Sequence, residues 1–173
     1  IKYVRGWARF EDPQSLTVSP SDGAPYRLQF EHAIIATGSE AIRIPSAVAS
    51  SRVMTSREAL DLDTVPESLL VVGGGYIGLE LGQVYASLGT HVTVVEMLPE
   101  LLAGADRDLV AFLEKRVRRQ FEAVLLQTKV SEMTEEKGGI RVHMEGENAP
   151  SEAPLFNRVM ISVGRKPLTR DLG

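Results

Sequence analysis

No cysteine occurs among the 173 residues. That absence excludes any disulfide or thiol chemistry carried by this chain, and it fits a reducing, cytoplasmic setting. No apolar run approaches the length of a membrane span, and no basic n-region with an apolar h-region opens the chain, so neither membrane insertion nor a secretory signal is expected. The net charge of −4 leaves no electrostatic footprint for nucleic acid or for a membrane surface. His32, His91 and His143 are scattered without metal-ligand spacing, so no metal site is expected. No Gly-Lys-Ser/Thr follows a glycine-rich loop, which excludes a nucleotide triphosphatase loop, and no nucleophile–base pair stands out.

Against these absences stand 43% hydrophobic residues, enough for a real core. The length suits one domain, or one domain plus a piece of another. The first residue is Ile1 and not Met, so an excerpt of a longer protein is the expectation.

The most informative stretch is Gly73-Gly74-Gly75-Tyr76-Ile77-Gly78, directly after the apolar run Leu69-Leu70-Val71-Val72. The glycine pattern alone is weak, and its context gives it weight. A buried strand precedes it and a helical apolar repeat follows. Val92-Thr93-Val94-Val95 supplies a second strand, and Glu96 closes that strand 21 residues past Gly75 (96 − 75). In such a unit Gly73 allows the tight turn, Gly75 lets a pyrophosphate approach the backbone, and Gly78 lets the helix pack on the sheet. The phosphates are expected at the helix N-terminus, where unpaired N–H groups and the dipole favour anions. Glu96 is expected to accept hydrogen bonds from the adenosine ribose. A carboxylate there repels a 2′-phosphate, and residues 97–106 hold no Arg or Lys, so the expected cofactor is NAD(H) and not NADP(H). The same residues also admit a plainer reading, a glycine turn that only packs a helix on a sheet beside a solvated carboxylate.

Around this unit, Tyr3-Val4, Leu16–Val18, Tyr26–Phe30 and Ala33-Ile34-Ile35 read as short strands separated by turn residues. Thr55 and Glu58 have capping-box spacing and predict a short helix over 56–61. Ile77, Leu81, Val84, Tyr85 and Leu88 repeat at helical spacing up to Gly89. Asp106 is expected to cap a further helix with Leu109, Leu113, Val117 and Phe121 on one face. Lys115, Arg116, Arg118 and Arg119 near its end fit a solvated face with cations at a helix C-terminus. Strands are expected over 123–126, 128–133, 140–144 and 158–163, with Gly138-Gly139 as a hairpin turn. The segment Phe30–Gly38 is echoed by Phe156–Gly164, at an offset of 126 residues (156 − 30). Two apolar strands each running into glycine suggest the tail of one nucleotide-binding domain followed by a complete second one.

Taken together, Val71–Gly82 (VVGGGYIGLELG), His91–Pro99 (HVTVVEMLP), Ala36-Thr37-Gly38 and Ile161–Pro167 (ISVGRKP) resemble the flavin-dependent pyridine nucleotide–disulfide oxidoreductases. His143–Pro154 is especially similar to bacterial dihydrolipoamide dehydrogenases. The resemblance covers essentially the whole chain. It implies an α/β, Rossmann-like FAD/NAD(P)-binding fold with a parallel sheet and a β-meander, preceded by the β-rich tail of a related domain. Residues 1–40 would be the last strands of an FAD domain, 41–165 an NAD domain, and 166–173 the start of the return to the FAD domain. It places Ala36, Thr37 and Gly38 near FAD, with Gly6-Trp7-Ala8 on the adenine side. It places NAD at Gly73, Gly75, Tyr76, Ile77, Gly78, Glu96, Val130 and Gly164, with Tyr76 over the nicotinamide pocket. Glu80 matches a carboxylate that pairs with a lysine beside the flavin, and an ordinary first-turns acid on a helix fits it equally well.

The family's first FAD fingerprint, its Cys-x4-Cys pair and its C-terminal His-Glu pair are absent, so the resemblance implies a central piece, inactive by itself. The parent enzyme would be a homodimer that oxidises dihydrolipoyl groups with FAD and NAD and serves a 2-oxoacid dehydrogenase complex. The alternatives are a stand-alone NAD(H)-binding or sensor module, and a sound fold without a ligand.

Overall fold

Turn residues divide the first thirty positions into an antiparallel meander in the computed structural model, which describes residues 1–173. Its strands are β1 (Gly6–Asp12), β2 (Ser15–Pro20) and β3 (Tyr26–Gln29), in spatial order β1-β2-β3. The tight β1–β2 connection is fixed by Asp12. Its carboxylate accepts the Ser15 hydroxyl at 2.7 Å, the Gln14 N–H at 2.8 Å and the Arg27 guanidinium at 2.7 Å. These bonds, that of Ser15 foremost, hold the Asp12 carboxyl below its ordinary range. Phe10 and Phe30 meet edge to face at 5.8 Å. The meander, with residues out to Glu40 and with 166–173, forms one compact unit, and 41–165 forms the other.

Two strand expectations fail in the first unit. Tyr3-Val4 lies outside β1, and Ala33-Ile34-Ile35 joins no sheet. Ile34 is 95% exposed. An apolar run becomes a stable strand only with ladder partners and a surface to bury against, and neither lies beside it here.

After β4 (Ser39–Ala41), the second unit builds on a five-stranded parallel sheet. Its first strand is β5 (Val53–Thr55), followed by helix α1 (Ser56–Leu60). The capping box is present: Glu58 accepts from the Thr55 N–H at 2.8 Å and from the Thr55 hydroxyl at 2.5 Å. The unit continues through β6 (Ser68–Val72), α2 (Tyr76–Ser87), β7 (His91–Val95), α3 (Arg107–Gln120) and β8 (Ala123–Leu125). A hairpin of β9 (Thr128–Glu136) and β10 (Gly139–Gly146) turns at Lys137-Gly138, and β11 (Leu155–Phe156) lies on its edge. Strand β12 (Arg158–Ile161) returns to the parallel sheet in the order β5-β12-β6-β7-β8, and β13 (Arg165–Pro167) pairs with β4.

The apolar runs are continuous because this sheet is covered on both faces. Leu69 and Val71 join the helical side with Leu79, Val92, Val94 and Val117. Their neighbours Leu70 and Val72 face the other way, onto Met133, Ile140, Val142 and Phe156 of the antiparallel sheet. Tyr85 links α2 to α1: it is buried, and its hydroxyl donates to the Ala59 carbonyl at 2.8 Å. Burial pushes its phenol pKa up.

Both long helices bury part of the face expected from their apolar spacing, Leu81 and Tyr85 on α2 and Leu113, Val117 and Phe121 on α3, and leave its other members more exposed. On α2 the buried positions are Gly78, Leu79, Gly82 and Tyr85, while Val84 and Leu88 are about half exposed. Gly78 and Gly82 permit the close approach to the sheet, and Leu79 and Tyr85 fill the contact beside them. On α3 the buried residues are Val110 and Val117, continued by Phe121, and Leu109 points to solvent. Asp106 is the N-cap of α3 by position, yet its side chain makes no capping hydrogen bond. No helix is long and apolar enough to cross a membrane.

Candidate functional site

The carboxyl ends of β6, β7 and β12 open onto a cavity of about 880 Å³ within the second unit. An open α/β sheet offers ligands this edge, because loops diverge there and helix N-termini point into the gap. The floor is the glycine loop. Gly73 has φ 109°, a left-handed conformation, and its N–H donates to the Val95 carbonyl at 2.9 Å. A Cβ on Gly73 would sit 2.6 Å from the Ser162 carbonyl oxygen. Gly78 lies beneath the loop and not on the cavity wall, where a Cβ would overlap the Gly73 carbonyl oxygen and lie 2.6 Å from Ser162 Oγ. Gly75 differs: nothing lies within 4 Å of its would-be Cβ. It faces open space at the start of α2.

That helix start carries no side-chain cap and no acid in its first turn. Its leading N–H groups therefore have no partner within the helix or from a capping side chain, and Gly75, Tyr76 and Ile77 all line the cavity. Glu96, just past β7, is tied to the loop. One carboxylate oxygen accepts the Gly74 N–H at 2.7 Å and the other the Leu98 N–H at 2.9 Å. Ser162 ties in the third strand end, its hydroxyl donating to the Val72 carbonyl at 3.0 Å.

Of the residues expected at the site, Gly73, Gly75, Tyr76, Ile77, Glu96, Val130 and Gly164 all line this one cavity. Tyr76 is largely exposed at the rim, and Gly164 takes φ 124°. Gly78 serves from below. Glu80 lies on the exposed side of α2, away from the cavity and without an ion pair. Ala36, Thr37 and Gly38 belong to the other unit, where the Thr37 hydroxyl donates to the Leu168 carbonyl at 2.5 Å and Gly38 accepts the Leu168 N–H at 2.9 Å. Gly6-Trp7-Ala8 lies in β1, with Trp7 exposed.

Sequence reading missed the far wall, formed by Leu98, Leu102, Ala103, Gly104 and Ala105. It used that stretch only for its lack of cations, and no periodic pattern marks a loop as a wall. Lys129, which pairs with Glu145 at 2.9 Å, and Arg165 also reach the lining. No group of three or more His, Asp or Glu could hold a metal ion.

A parallel sheet with a glycine loop at its carboxyl edge, a helix start on the cavity and an antiparallel sheet behind defines a Rossmann-type dinucleotide-binding fold. The description pyridine nucleotide-disulphide oxidoreductase matches residues 1–172, and the chain belongs to that family. It is 40% identical over 168 residues to a dihydrolipoyl dehydrogenase of Vibrio parahaemolyticus, covering 96% of this chain and 35% of that protein. It is 38% identical over 173 residues to the dihydrolipoyl dehydrogenase of Geobacillus stearothermophilus, covering 100% of this chain and 36% of that protein. Among solved structures it is similar to the HOCl-induced flavoprotein disulfide reductase RclA from Escherichia coli as a Cu(II) complex, with a TM-score of 0.77 and 27% identity over 96% of this chain and 37% of that one. The chain thus spans about a third of the length of these relatives.

Proposed function

We propose that this chain is the NAD(H)-binding segment of a cytoplasmic flavoprotein disulfide oxidoreductase that oxidises dihydrolipoyl groups with NAD. The observation that carries the reading is the pairing of Gly75, whose Cβ position is empty, with the uncapped start of α2 on the same cavity. A dinucleotide pyrophosphate needs that combination, an approach to bare backbone and unpaired N–H donors. Glu96 stands at the end of the neighbouring strand, where a ribose hydroxyl would reach it. Gly73 and Gly78 shape the turn, Val130 and Gly164 flank the opposite side, and Tyr76 closes the rim.

When bound, NAD supplies the hydride-accepting nicotinamide. The chain's own part is to hold the two ends of the dinucleotide, to favour the form without a 2′-phosphate through the Glu96 carboxylate, and to keep apolar walls around it. FAD and the redox disulfide belong, in this proposal, to parts of a longer protein outside the 173 residues. Residues 1–40 would complete the FAD domain there, with Ala36-Thr37-Gly38 beside the flavin. The dihydrolipoyl substrate, the homodimer and service to a 2-oxoacid dehydrogenase complex are proposed from the names of the relatives.

Calorimetric titration of the chain with NADH and with NADPH tests the reading. NADH is expected to bind and NADPH to bind much more weakly. Equal binding of both would remove the role given to Glu96, and binding of neither would remove the nucleotide seat.

A further inference from the structure

Arg107 occupies the first turn of α3, where a cation opposes the helix dipole. Helix stability does not explain it there. Its guanidinium is instead turned back onto the preceding loop. Nη1 donates to the Leu101 carbonyl at 3.0 Å, Nη2 to the Leu102 carbonyl at 2.8 Å and to Ala105 at 2.9 Å, and Nε to Ala105 at 3.0 Å. Glu100 adds an ion pair at 3.0 Å. One planar fork thus gathers three carbonyls of a single loop, a geometry that a lysine ammonium does not reproduce.

That loop is the far wall of the cavity. Leu101 anchors it, fully buried. Leu102 holds a left-handed backbone at φ 49°, unusual for a bulky residue, and its N–H donates to the Gly74 carbonyl at 3.0 Å. The wall is therefore latched to the glycine loop in a conformation that it would not hold unaided.

We infer that Arg107 is a positioning residue for the dinucleotide: its fork fixes the Leu101–Ala105 wall against the glycine loop and so sets the width of the cavity. It touches no ligand itself. The inference rests on the reading of this cavity as the nucleotide seat.

The test is calorimetric titration of the chain with NADH in wild type, Arg107→Ala and Arg107→Lys, with amide hydrogen exchange followed at residues 102–105 and across β6 and β7. Both variants are expected to lose about tenfold in NADH affinity, the scale of one charge-assisted hydrogen-bonded contact. Exchange is expected to rise at 102–105 and to stay unchanged in the two strands. Full affinity in Arg107→Lys would reduce the role to charge and overturn the inference, as would wild-type affinity in Arg107→Ala. Loss of strand protection in Arg107→Ala would mark general unfolding, and Arg107→Lys then decides alone. If wild type binds no NADH, the reading of the cavity falls and the inference falls with it.

Discussion

The Glu96 carboxylate reaches back 22 residues along the chain and accepts the Gly74 N–H at 2.7 Å. The residue proposed to recognise the ribose is thus also the clip that holds the phosphate loop. Glu96→Ala removes both, and its NADH affinity is expected to fall by roughly 10- to 100-fold. NADPH binding is not expected to improve, because relief of the repulsion is offset by a loosened loop. Titration with both nucleotides checks this, and tight NADPH binding by Glu96→Ala would show that the clip contributes little.

Gly75 and Gly78 are expected to fail in opposite ways. In Gly78→Ala the new methyl would overlap the Gly73 carbonyl oxygen and crowd Ser162 and Val71, so α2 must shift. Overpacking of this kind costs about 1–3 kcal/mol. In Gly75→Ala the methyl meets no protein atom, and φ is an ordinary −79°. Stability should change by less than about 0.5 kcal/mol, while NADH affinity drops at least about tenfold. Denaturant melts and titrations on both variants separate the two effects. A destabilised Gly75→Ala with intact affinity would contradict the open cradle.

Tyr85→Phe isolates the contact between α1 and α2. It strands the Ala59 carbonyl, which accepts the Tyr85 hydroxyl at 2.8 Å in a buried setting. The expected cost is about 1–3 kcal/mol, several degrees of Tm, with NADH affinity unchanged because Tyr85 does not line the cavity. Thermal melts read it, and an unchanged Tm would mean that water reaches Ala59.

The α1 cap gives a pH dependence of known sign. The Thr55 hydroxyl, and after it the Thr55 backbone N–H, hold the Glu58 carboxyl below the ordinary glutamate range. A folded-state pKa below the unfolded one means stabilisation that is present above the unfolded value and lost as pH falls through the folded value. Thr55→Ala should therefore move the Glu58 midpoint upward, part of the way to the ordinary value, since the backbone N–H remains. Carboxyl chemical shifts across an acid titration measure this. The same midpoint in both proteins would rule out the hydroxyl as the cause.

The centre of the fold was legible in the sequence because local rules agree there. Val71–Gly82 combines a strand, an obligatory left-handed turn at Gly73 and close helix packing at Gly78, and each demand restricts residue type by itself. The capping box at Thr55 and Glu58 and the turn glycine Gly138 were legible for the same reason. On the inward face of α3, Leu113, Val117 and Phe121 were legible too, but the place of Val110 instead of Leu109 was not, because the two are equally apolar and only packing chooses between them. Nor was the Arg107 latch, which depends on where three carbonyls of one loop converge.

The two echoing segments show where sequence stops deciding. Phe30–Gly38 and Phe156–Gly164 share one pattern, and both end in a glycine with positive φ. Met160 and Ile161 are buried in β12 between β5 and β6, whereas their counterparts Ile34 and Ile35 are exposed and unpaired. Sequence determined the apolar content and the glycine stop of both segments, since these follow from side-chain chemistry and backbone sterics alone. Only tertiary structure decided which became a strand, because a strand's hydrogen bonds and its burial are supplied by neighbours distant in the chain.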